Sequence, residues 1–119
     1  MTKELMDYVS EKSRDLMAAP SCYAGAKAAA QAWLDARGTA QEVAETKKYL
    51  AELKADVTTI DGLLAFAASE AAANHLGKEA AAGLLAHAQQ IKAAGAEYCD
   101  CPACTAALAI LAKEAEMLK

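Results

Sequence analysis

The stretch Lys78-Glu-Ala-Ala-Ala-Gly-Leu-Leu-Ala-His-Ala-Gln-Gln-Ile-Lys-Ala-Ala-Gly95 decides the fold class. Ala81, Leu84, Leu85, Ala88 and Ile91 recur at three- and four-residue intervals, which places them on one face of a helix. Gly95 closes it, because glycine takes the left-handed conformation that ends helices. The whole composition agrees: 33 of 119 residues are alanine and aromatics are only 5%, a balance that favours helix over sheet.

The same punctuation repeats on both sides. Upstream, Thr58 with Asp61 has the spacing of a helix start, and a helix runs through Leu63, Leu64 and Phe66 to Gly77. Few charges interrupt it, so it is expected to be central. Thr39 with Glu42 opens another, with Val43, Leu50, Leu53 and Val57 on its apolar face and an end near Asp56. Pro20 or Ser21 starts the helix that carries Cys22, Ala26, Ala29 and Trp33 and ends at Gly38, which puts Cys22 in a first helical turn. The first helix spans about Thr2 to Ala18, with Leu5, Val9, Leu16 and Met17 inward. Downstream, Pro102 suits a first helical position, and Cys104, Leu108, Leu111, Ala115 and Leu118 make the last stripe.

The expectation is an all-α protein, a compact bundle of five to six antiparallel helices in a single domain over residues 1–119. Alanine buries little area, so Trp33, Phe66 and the leucines must anchor the core. Gly25 and Gly83, lone glycines within helices, are expected at close helix crossings.

The net charge of −4 comes from interspersed acids and bases, with no basic cluster to neutralise phosphates, so nucleic acid is not expected as a partner. Met1–Ala19 lacks an apolar central stretch, so neither a secretory signal nor a membrane span is expected there. The chain is expected in the cytoplasm. No phosphate loop or nucleophile elbow is present, which disfavours the common enzyme classes. The sequence names no partner, and a homo-oligomer is compatible with it.

Chemistry concentrates in four cysteines: Cys22, Cys99, Cys101 and Cys104. In a reducing compartment such a count points to metal or redox work rather than structural disulfides. Six alternating helices would put the starts of the second and last at one end, joining Cys22 to the cluster. Cys-x-Cys-x-x-Cys leading into a helix supplies three thiolates for a tetrahedral zinc ion, and Cys22 would be the fourth. An iron–sulfur cluster uses the same four donors, and spacing does not separate the two. His75 and His87 are alternative fourth ligands, although histidines on helices more often face solvent or satisfy the core. Asp100 suits a helix cap better than a place beside a metal.

A rival reading takes Cys101-Pro-Ala-Cys104 as a dithiol pair at a helix start, with Cys101 attacking and Cys104 resolving. A third makes the chain a chaperone-like or scaffold protein acting through an apolar face. The bland alternative is reduced cysteine packing as a small hydrophobe, which three within six residues makes less common.

Cys101-Pro-Ala-Cys104 resembles the alkylhydroperoxidase D family, an all-helical fold whose Cys-x-x-Cys pair is followed one turn later by a histidine. Leu108 stands in that histidine's place here and no relay glutamate matches, so the resemblance, about ten residues long, implies a dithiol without the family's proton relay. The segments Ala18-Ala-Pro-Ser-Cys22, Ile60-Asp-Gly-Leu-Leu-Ala-Phe66 and Tyr98-Cys-Asp-Cys-Pro-Ala-Cys104 together resemble a family of short proteins from anaerobic bacteria, some of which carry a heat-shock chaperone name. No ATP-binding motif supports that name here.

Overall fold

Thr2 begins the first helix as the pattern requires: its hydroxyl accepts the Leu5 N–H, and α1 runs Lys3–Ala18. The computed structural model describes all residues from Met1 to Lys119 and is all-α, with α2 Ala24–Ala36, α3 Glu42–Asp56, α4 Ile60–Ala67, α5 Glu70–Leu76, α6 Lys78–Ala93, α7 Pro102–Leu111 and α8 Glu114–Met117. Eight helices replace the expected five to six. The expected fourth helix is broken at Ser69, whose hydroxyl donates to the Phe66 carbonyl and accepts the Ala72 N–H, ending α4 and capping α5. The expected last helix loosens at Ala112–Lys113 into α7 and a short α8.

Two helix starts lie later in the chain than the sequence patterns imply. Cys22 is not in a first turn. Its N–H closes a tight turn onto the Ala19 carbonyl, and extended Tyr23 is the N-cap of α2. Before α3, the Thr39 hydroxyl accepts the Gln41 N–H and the Glu42 carboxylate reaches back to the Gly38 N–H. Both orphan donors are satisfied by the two capping-box residues, one step out of register.

The chain divides into two compact units. One consists of Met1–Val57 with Asp100–Lys119. Its interior is Val9, Leu16, Trp33, Tyr49, Leu53 and Ile110, with buried alanines on α2 and α7 that let backbones approach. The Trp33 and Tyr49 rings lie 5.9 Å apart, and the Trp33 Nε1–H donates to the Thr46 hydroxyl at 2.9 Å, so the indole is buried with its donor satisfied. α7 runs antiparallel to α1. Asp100, Pro102 and Thr105 share a groove with Lys12 and Asp15, while Lys113, beyond the far end of α7, lies over the Tyr8 ring.

The other unit, Thr58–Cys99, holds α4, α5 and α6. Ile60, Leu63, Ala67, Ala72, Ala81 and Ala88 are buried. Phe66, expected as an anchor, is 40% exposed. The break at Ser69 comes three residues later, and Leu63 and Ala67 take the inward positions. Gly83 marks no crossing, since a Cβ there would meet nothing within 4 Å. No helix is long and apolar enough to cross a membrane.

Candidate metal centre

Three local devices position the cysteine segment. Gly95, at φ 99°, ends α6: its N–H donates to the Lys92 carbonyl and that of Ala96 to Ile91, the pairing of a Schellman motif. The next residues are extended and pair with the start of α4. The Ile60 N–H donates to the Glu97 carbonyl at 2.9 Å, and the Cys99 N–H donates to the Thr58 carbonyl at 2.8 Å. Cys101 then takes φ −61° and ψ 158° as the N-cap of α7, with Pro102 at the first helical position.

At that cap the sulfur of Cys101 accepts the backbone N–H of Cys104 at 3.4 Å. A serine or aspartate oxygen usually fills this role. An amide donated to sulfur favours negative charge on it, as a metal ligand or nucleophile requires. The Thr105 hydroxyl donates to the Asp100 carbonyl, so Asp100 contributes its backbone here, and Cys101, not Asp100, caps the helix.

The sulfur atoms of Cys99, Cys101 and Cys104 lie within 4.8 Å of one another. They come from six consecutive residues, so the local course of the chain sets their spacing. Cys99 and Cys104 are buried and Cys101 is half-buried. All the cysteines carry thiols rather than disulfides. Three soft donors this close can hold a metal ion.

Cys22 is not part of this group of three. Its thiol donates to the Tyr23 carbonyl at 3.4 Å, and burial pushes its pKa up, with Lys27 opposing and Asp56 reinforcing the shift. His75, in the last turn of α5, and His87, within α6, are exposed and also outside the group.

Near Cys22 is a feature that sequence reading passed over. Burial raises the Asp56 carboxyl to about 6, and a hydrogen bond with Glu52 and that residue's charge add to the rise. The Asp56 Oδ2 is buried with no hydrogen-bond partner. Glu52 Oε1 sits 2.5 Å from where a Cβ on Gly25 would be, so the glycine makes room for a carboxylate against the start of α2. The i, i+4 spacing of Glu52 and Asp56 on α3 was the available signal, since like charges so spaced repel.

No family model, curated protein or solved structure matches this chain.

Proposed function

We propose that Cys99, Cys101 and Cys104 bind one zinc ion and that the protein is a small cytoplasmic zinc protein, its site structural or sensory. The observation that carries this reading is the approach of three sulfurs to within 4.8 Å. Tetrahedral zinc with bonds of about 2.3 Å holds its sulfurs about 3.8 Å apart, so the thiols need close by only about 1 Å. In a [4Fe–4S] cluster each cysteine binds a separate iron and the sulfurs stand wider; an iron–sulfur cluster is the alternative cofactor. Cys22 is the candidate fourth ligand; a water or a second copy of the chain fills that position otherwise.

Elemental analysis of protein purified without added metal tests the reading. About one equivalent of zinc, lost in Cys99→Ser, is expected. Retention of that zinc by Cys22→Ser would assign the fourth position elsewhere. Metal-free protein that takes up neither zinc nor cobalt would overturn the proposal.

One observation favours a second reading, a thiol–disulfide oxidoreductase: the amide donated to Cys101 at a helix start. The resemblance to the alkylhydroperoxidase D family points the same way, without the histidine that Leu108 replaces. Reversible formation of a Cys101–Cys104 disulfide in protein that binds no metal would support it over the zinc reading.

A further inference from the structure

We infer that oxidation by a low-molecular-weight disulfide joins Cys101 to Cys104 and expels the metal, so that the site's occupancy follows the thiol–disulfide balance around it. The inference rests on the zinc reading and adds its regulation. The three clustered thiols can form only one internal disulfide, and that bond leaves one of them as a ligand, or two with Cys22 in the fourth position, too few to hold the ion.

The geometry selects the pair. Cys101 is the N-cap of α7 and Cys104 lies three residues on in its first turn. Three residues of helix advance about 4.5 Å along the axis, which puts their Cα atoms within the roughly 4.4–6.8 Å that separates those of disulfide-bonded cysteines. The bond therefore closes by rotating two side chains, with no shift of a helix. Cys99 lies outside the helix, its backbone fixed by the bond to Thr58.

Exposure sets the order of events. Cys99 and Cys104 are 8% and 7% exposed, whereas Cys101 is half-buried. Asp100 and Pro102 on either side of it line the open groove shared with Lys12, Asp15 and Thr105. A disulfide RS–SR can thus reach Cys101 first. The Cys101 thiolate attacks one sulfur, the RS–SR bond breaks, and RS⁻ leaves with the electron pair and takes a proton from water. The Cys104 thiolate then attacks the Cys101 sulfur of the mixed disulfide and expels the second RS⁻, which is protonated in turn. Two electrons pass from the protein to the small disulfide, giving two RSH, one Cys101–Cys104 bond and a released Zn²⁺.

The test equilibrates the zinc-loaded full chain with mixtures of reduced and oxidised glutathione, reading zinc with a chromophoric chelator and disulfides by peptide mass spectrometry. One zinc released per Cys101–Cys104 disulfide is expected, with recovery on reduction. Cys104→Ser should accumulate the glutathione adduct on Cys101 and form no internal bond. Zinc retained in excess oxidised glutathione, or released without that disulfide, overturns this inference alone. A chain that never takes up zinc overturns the zinc reading as well, and the loading step reveals that before any oxidant is added.

Discussion

The hydroxyls of Ser13 and Tyr49 lie 2.8 Å apart inside the unit formed by α1, α2, α3, α7 and α8. Ser13 donates its one hydrogen to the Val9 carbonyl at 2.7 Å, so Tyr49 is the donor between them. Burial raises the Tyr49 hydroxyl to about 12, outweighing the opposing effect of the Ser13 hydrogen bond and keeping it protonated. The pair is asymmetric. Tyr49→Phe leaves Ser13 bonded to Val9 and should cost about 1 kcal/mol, while Ser13→Ala strands a buried phenol and should cost about 1–3 kcal/mol. Chemical denaturation should show the double variant to be less destabilised than the sum of the single changes. Strict additivity would mean the contact contributes nothing.

Asp56 makes stability depend on pH. Its folded pKa of about 6 lies above the ordinary 3.8, so the fold favours the protonated form. Its contribution is present below pH 4, is lost as pH rises toward 6, and stays lost above that. Asp56→Asn mimics the protonated state and does not titrate. Its advantage in melting temperature should be small at pH 4 and grow to a plateau above pH 6. A plateau worth about 1 kcal/mol is expected, because water screens part of the effect. A pH-independent difference would refute the assignment.

Cys101 caps α7, and its proposed role as a zinc ligand predicts a separation of fold from metal binding. Cys101→Ser supplies a better capping oxygen, so the metal-free variant should melt no lower than the metal-free parent, while zinc affinity falls at least tenfold. Cys101→Ala should lose zinc and also about 1 kcal/mol of stability. Calorimetry of the apo and zinc-loaded forms distinguishes the two; equal apo stability of the serine and alanine variants would show that sulfur does not cap α7.

Gly77 and Gly83 should respond to alanine with opposite signs. Gly77 sits at φ 90° and ψ 155° between α5 and α6, a conformation that L-residues rarely adopt, so Gly77→Ala should destabilise by about 1–3 kcal/mol. Gly83 lies within α6 with open space where its Cβ would be. Gly83→Ala should stabilise by about 0.5–1 kcal/mol through reduced backbone entropy in the unfolded chain. Urea unfolding of each variant reads both.

Helix spacing and caps were local enough to read directly. Each expected helical stretch is helical in the main, and Gly38, Gly77 and Gly95, all at positive φ, mark helix ends that the backbone alone explains. Pro102 opens α7 where its missing N–H costs nothing. Ser69 was harder to anticipate: serine is tolerated inside helices, and only its bonds to Phe66 and Ala72 make it a break. The role of Phe66 was likewise hidden, since periodicity identifies an apolar face and not what covers it.

The candidate site divides along the same line. Sequence by itself determined the helical class and the cluster of Cys99, Cys101 and Cys104, because a Cys-x-Cys-x-x-Cys segment entering a helix brings its sulfurs together through local geometry. Tertiary structure decided the rest: the pairing of Cys99 with Thr58, the greater exposure of Cys101, the division into two units, and the placement of Cys22 beside Asp56 and Lys27. Those depend on contacts between residues far apart in the chain, and counting alternating helices could not supply them once a single serine had changed the count.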